Sequence, residues 1–284
     1  MNLRLFKQLW GHQGTHEDAI TDVLDADFHG IEGAPPAAPG DRAHLARLIA
    51  DADLHYIAEI STGIFTPDKW VPDPHSTVEQ HLETFRVILD QCLEMTPLKI
   101  TSMSGNDLWP IADSIRFYRE SQTIAADRGV EVSVETHRGR STFHPLSLAA
   151  ILQALPDLPL TCDFSHWCVV TERSAIVDEF PNLLAHCARN CRHVHARVGY
   201  DQGAQVPDPR APEYAANLAH HERWWDTIWS AQRAAGMQTS TLTPESGPDG
   251  YLQLEPFTQK PVADLWEINR WIAHRQRDRF STRA

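Results

Sequence analysis

The chain has 284 residues, 42% hydrophobic and 22% charged, with 38 acidic against 25 basic side chains and a formal net charge of −13. So acidic a surface repels phosphodiester backbones, which argues against nucleic-acid binding, and no apolar run approaches the roughly 20 residues of a membrane span. The N-terminal MNLRLFKQLWGHQG lacks the apolar core and cleavage signal of a secretory leader. Cys92, Cys162, Cys168, Cys187 and Cys191 are odd in number and lack zinc-finger spacing, as expected of reduced, partly buried thiols in a cytoplasmic protein.

Short β-type runs alternate with amphipathic helical stretches. Leu3 to Leu9 reads as the first strand. Thr15-His-Glu-Asp18 is a capping box before Ala19, Ile20, Val23 and Leu24 at helical spacing. Phe28 to Gly33 is the second run, followed by a helix from about Asp41 to Ala52. Leu54 to Ile60 reads as the third strand, leading into a Pro- and Asp-rich loop, Thr66 to His75. Ser76-Thr-Val-Glu79 reads as a second capping box, opening a helix that carries Leu82, Phe85, Ile88 and Leu89. Leu98 to Thr101 is the fourth strand, and its helix runs to Arg128 with a left-handed cap at Gly129.

Val130 to Glu135, Leu158 to Asp163, His193 to Val198 and Thr239 to Pro244 complete the strands. Helices are expected over Pro145–Leu155, Ser174–Ala188, Glu213–Ala235 and Val262–His274. Eight strands and eight helices, with no linker between them, predict one (β/α)8 barrel across residues 1–284. A doubly wound open sheet is the rival, but it would carry a Gly-rich phosphate loop after its first strand.

Side chains at the C-terminal ends of barrel strands converge on one mouth. There the fifth strand delivers Glu135, with His137 and Arg138 beyond it, and the sixth delivers Asp163, then His166. The seventh carries His193, His195 and Arg197, and the eighth ends at Glu245. Crowded carboxylates repel one another, and a divalent cation resolves that conflict. Any one of these residues alone reads as a helix cap or an ion-pair partner; their coincidence on four successive strands points to Glu135, Asp163, His195 and Glu245 as metal ligands. Three carboxylates and an imidazole suit Mn2+ or Mg2+, with Zn2+, Co2+ or Fe2+ as alternatives. His193, on the same strand face as His195, reads as a core histidine one layer down.

At these residues the chain resembles the xylose isomerase-like barrel superfamily, which includes sugar epimerases, inosose dehydratases and endonuclease IV. The specific part is Glu135-Thr-His137, Asp163-Phe-Ser-His166, Val194-His195-Ala-Arg197 and Glu245. The resemblance implies the same four ligands, substrate contacts from His137 and His166, and proton transfer by Glu135 and Glu245. It also implies an isomerase or epimerase of a ketose or related sugar working through a metal-stabilised enediolate. A dehydratase of a sugar or cyclitol ketone begins the same way and is the alternative.

Arg197 follows the expected ligand His195 by two residues and departs from the better-known branches; its fork suits a carboxylate, phosphate or enolate oxygen. Arg138 and Arg140 read equally as partners of the mouth's acids. Lys7, taken as inward by alternation, reads as a second cationic contact or a barrel-bottom ion pair. Trp10, Trp109, Trp167 and Tyr200 are candidate apolar faces for a sugar ring, and the loop from Gly199 to Pro212 a rigid wall or lid. Trp224, Trp225 and Trp229 sit at core spacing. The three-metal nuclease branch would need histidines on strands three and four, where this chain has Ser61-Thr62, Ser102 and Ser104. A non-catalytic barrel is the remaining rival, and a homo-oligomer is compatible with the Trp-bearing helix faces.

Overall fold

The computed structural model describes residues 1–63, 65–66 and 69–282. Its centre is a closed barrel of eight parallel strands. These are β1 (Asn2–Gln8), β2 (Gly30–Gly33), β3 (His55–Ser61), β4 (Lys99–Met103), β5 (Val132–Glu135), β6 (Leu160–Cys162), β7 (Cys191–Ala196) and β8 (Thr239–Pro244). Each strand pairs with its sequence neighbours, and β1 closes against β8. The expected (β/α)8 fold is what the chain adopts. Closing the sheet removes its edges, and the helices bury the outward strand faces.

The helices are α1 (His16–Asp25), α2 (Pro39–Asp51), α3 (Val78–Leu93), α4 (Ile111–Asp127), α5 (Pro145–Ala154), α6 (Ser165–Thr171), α7 (Pro181–Asn190), α8 (Ala215–Ala234) and α9 (Leu265–Thr282). Thr15 and Asp18 form the expected capping box, and Gly129 has φ +72. The second box lies one residue later than read: Thr77 and Gln80 cap α3, while the Ser76 hydroxyl donates to the Asp73 carbonyl. Part of the expected Thr66–His75 loop, residues 67–68, lies outside the described residues.

Two departures come after β6. Asp163-Phe-Ser-His166 is not a strand end: α6 begins at Ser165, whose N–H and hydroxyl both donate to Asp163 Oδ1. The carboxylate thereby satisfies a backbone donor at the start of α6, as N-terminal capping oxygens do. The expected Ser174–Ala188 helix is a short 3-10 turn, Ile176–Glu179, followed by α7. Pro181 separates them, since it lacks the N–H an interior position needs but suits a first helical turn. Trp224, Trp225 and Trp229 are fully buried packing residues, as their spacing predicts. All five cysteines are free and buried. Among the described residues no helix is long and apolar enough to cross a membrane.

Candidate metal centre

Strand register decides which side chains enter the barrel. On β2, Glu32 points inward, and its pair partner on β3 is Ile57, so Glu59 two residues on also faces the mouth. Glu135 ends β5 and Asp163 directly follows β6, while His193 and His195 share the inner face of β7 and Glu245 directly follows β8. One ligand atom each from Glu135, Asp163, His195 and Glu245 lies within 4.8 Å of the others, and all four residues are buried. The structure thus brings together the set read from the sequence.

His195 is held at both ring nitrogens. Nδ1 lies 3.2 Å from Glu135 Oε1 and 2.9 Å from Glu245 Oε2, and Nε2–H donates to Glu32 Oε1 at 3.0 Å. Burial opposes a charged ring, but Glu245, Glu32 and Glu135 outweigh it and raise the imidazole well above its ordinary value. His193 sits one layer down, as read: Nε2 meets Glu32 Oε2 at 3.0 Å and Nδ1 meets the Thr241 hydroxyl at 2.8 Å. Burial disfavours ionisation of Glu32, yet His193 and His195 together hold its carboxyl well below the usual range.

Arg197 stands beside the four. Its Nε donates to Asp163 Oδ2 at 3.0 Å and its Nη2 to Glu245 Oε2 at 2.8 Å, while Nη1 is buried without a partner. Arg197 and His195 outweigh burial and lower Glu245 to about 2; burial pushes Asp163 up to about 7, against the pull of Arg197. The rings of His137 and His166 meet at a tilt of 48° with centroids 3.9 Å apart, and burial drives both well below the ordinary imidazole range. His166 Nε2 is 3.5 Å from Asp163 Oδ2.

Lys7 does not reach the mouth. Register pairs Phe6 with Gly30, Lys7 with Ile31 and Gln8 with Glu32, so Lys7 lies on the outward face, off by one from the alternation assumed. Its ammonium pairs with Asp22 at 3.1 Å and lies 3.7 Å from the Trp266 ring centre, between the barrel wall and the outer helices. Of the four aromatic candidates, only Trp10 lines the mouth cavity. The Trp109 and Trp167 indoles donate to the Ser76 and Thr142 carbonyls, and Tyr200 packs on Tyr214. The loop after β7 is not the lid. Gln205 from it clamps the backbone of Gly247, and the wall comes instead from Tyr251 in the loop after β8. That ring lies 4.6 Å from the Arg197 guanidinium and 4.5 Å from that of Arg138. Arg140 is fully buried and donates to the Thr62 carbonyl at 2.6 Å, a structural role.

The mouth holds a cavity of about 370 Å3 lined by Trp10, Glu59, Glu135, Arg197, Glu245 and Tyr251, among others. Glu32, Glu59 and Tyr251 were not singled out from sequence; an isolated Glu inside a strand run carries no motif. The donor set fits a divalent cation on two grounds. Glu32, Glu59, Glu135, Asp163 and Glu245 crowd five carboxyls into the mouth, where Arg197 is the guanidinium that bonds to Asp163 and Glu245, and a divalent ion relieves the remaining repulsion. The Glu32–His195 bond also fixes the tautomer that leaves Nδ1 free for a metal, the usual arrangement behind ligating histidines.

Fold and site define a parallel (β/α)8 barrel with a buried carboxylate–imidazole cluster at its C-terminal mouth. Solved structures similar to it in fold include a D-allulose 3-epimerase from Methylomonas sp., 16% identical with a TM-score of 0.62, covering 98% of both chains. The probable 3-DHS dehydratase involved in petrobactin synthesis in Bacillus anthracis is 15% identical, TM-score 0.59, over 95% of this chain and 97% of that one. A xylose isomerase-like TIM barrel protein from Mycobacterium smegmatis, in complex with magnesium, is 11% identical, TM-score 0.57, over 98% and 97%. The structural neighbours are thus xylose isomerase-like barrels. No family model matches the chain, and no curated protein matches its sequence.

Proposed function

We propose that this chain is a divalent-metal-dependent isomerase or epimerase of a ketose or related sugar. The observation that carries the reading is the convergence of Glu135, Asp163, His195 and Glu245, with His195 oriented by Glu32. These four would hold Mn2+ or Mg2+, Zn2+ and Co2+ being alternatives. A bound divalent cation polarises a ketone and makes the neighbouring C–H acidic. Glu135 and Glu245 are the proton carriers, brought to one cavity from the ends of β5 and β8; one carboxylate removes the proton and the other returns it on the opposite face, giving inversion. Arg197 Nη1 offers a donor to a substrate oxygen, and Trp10 and Tyr251 supply apolar faces. His137 and His166 are substrate contacts on the β5–β6 side.

A dehydratase acting on a sugar or cyclitol ketone is the second reading. A departing hydroxyl needs a proton, and Glu59 is an additional carboxyl lining the same cavity outside the four-ligand set. The likeness to the probable 3-DHS dehydratase supports it equally with the epimerase likeness. Incubation of the Mn2+-supplemented chain with ketohexoses and inososes in D2O tests both. Deuterium beside the carbonyl in an inverted product favours the epimerase; loss of water to an enone favours the dehydratase. Neither, with any of these substrates, counts against both.

A further inference from the structure

Glu59 faces the 370 Å3 mouth cavity from β3 and, among the described residues, makes no hydrogen bond or ion pair. Burial, Glu32, Glu245 and Glu135 oppose its ionisation, and His195 partly offsets them. Glu59 is half-buried, and a carboxyl that opens onto a ligand cavity with no protein partner marks a place where a ligand supplies one.

The cavity also indicates which partner. Arg197 spends Nε and Nη2 on Asp163 and Glu245 and keeps Nη1 unpartnered. Among the described residues the mouth therefore presents a buried donor without a partner, Arg197 Nη1, and the open Glu59 carboxyl, beside carboxylates that repel a second anion. A hydroxyl satisfies a carboxyl in either protonation state, donating to it or accepting from it, and brings no charge.

We propose that Glu59 determines specificity by holding a substrate hydroxyl away from the metal ligands, so that the mouth selects an uncharged polyhydroxy compound over its deoxy counterpart. This rests on the reading of the mouth as a metal-dependent sugar site, and holds whichever bond is broken there. Sites built to hydrogen-bond a hydroxyl discriminate strongly against ligands that lack it.

The test is equilibrium binding of xylitol to the Mn2+-loaded chain by titration calorimetry, comparing wild type with Glu59→Gln and Glu59→Leu, with Glu59→Ala replacing the leucine variant if that does not fold. Mn2+ content should stay unchanged in every variant. Xylitol binding should weaken at least tenfold in Glu59→Leu and less than threefold in Glu59→Gln, which keeps the hydrogen bond. The metal-free Glu59→Leu chain should melt above wild type, because an unpartnered acid has been removed; a residue serving only structure would move the melt the other way. Xylitol affinity within twofold of wild type in Glu59→Leu, an equal loss in Glu59→Gln, or loss of Mn2+ from either variant overturns the proposal. A wild-type chain that takes up no Mn2+ defeats the reading of the mouth; one that takes up Mn2+ and binds no xylitol defeats the role of Glu59 alone.

Discussion

Replacing Glu32 with glutamine should weaken metal binding without touching a ligand. Glu32 is 1% exposed and accepts two imidazole N–H bonds at 3.0 Å, Oε1 from His195 and Oε2 from His193. An amide keeps one acceptor and turns the other into a donor. If that donor faces His195, the ring must carry its proton on Nδ1, the nitrogen turned toward Glu135 and Glu245. If it faces His193, the strain passes to the Thr241 and Thr243 hydroxyls on β8. Loss of a carboxylate behind a ligating histidine typically costs 10- to 100-fold in metal affinity, or about 1.4–2.7 kcal/mol at about 1.4 kcal/mol per decade. Hydrogen bonds to charged groups are worth roughly 1.5–3 kcal/mol, a consistent figure. The assay is Mn2+ titration calorimetry on chelator-treated wild type and Glu32→Gln. Affinities within twofold of each other, with both chains folded, would refute the assignment of Nδ1 as the ligand atom.

Three further outcomes follow from other parts of the fold. Burial holds His221 at about 4, against 6.5 for a free imidazole; its Nδ1–H donates to Asn217 O and its Nε2 accepts from the Gly199 N–H. The unfolded chain binds the extra proton between those pH values, so this contribution is complete above about 6.5 and lost as pH falls toward 4. It amounts to roughly 3 kcal/mol at 1.36 kcal/mol per pH unit. The Tm gap between wild type and His221→Gln should therefore be wider at pH 8 than at pH 4.5, and an equal gap contradicts the argument. A Cβ on Gly30 would collide with the His55 carbonyl of the neighbouring strand; Gly30→Ala should destabilise by about 1–3 kcal/mol, lowering Tm by several degrees in a thermal melt, and an unchanged Tm counts against the close β2–β3 approach. Tyr251→Leu removes the ring that lies over two guanidiniums and walls the mouth cavity, and it should weaken xylitol binding several-fold by loosening Arg197; undiminished binding would remove Tyr251 from the ligand wall.

The barrel and its four-residue cluster were legible because strand ends announce themselves. Glu135, Asp163 and Glu245 stand at the ends of β-type runs and His195 lies within the run between the last two, and their repetition over four successive units is a pattern no single cap produces. Glu32 and Glu59 were illegible for the converse reason: each lies within its strand, and only the register that turns them inward gives them meaning. Lys7 shows how narrow that margin is, since a parity error of one residue moves a side chain from the mouth to the outer wall. α6 was hidden because nothing in Asp163-Phe-Ser-His166 announces a helix until the Ser165 N–H is seen donating to the Asp163 carboxylate. Tyr251 belongs to a long loop whose path nothing local dictates, and it reaches the mouth through packing against Trp10 and Arg197.

Metal content tests the central claim most directly. The chain, purified without chelator and analysed for elements, should carry about one Mn, Mg, Co or Zn per molecule, and Glu245→Gln, which keeps the shape of the side chain, should carry clearly less. No bound metal in wild type, together with no rise in Tm on adding Mn2+, Mg2+, Co2+ or Zn2+, would contradict the four-ligand centre and favour a non-catalytic barrel whose buried carboxylates are partly offset by Arg197 and protonated His195.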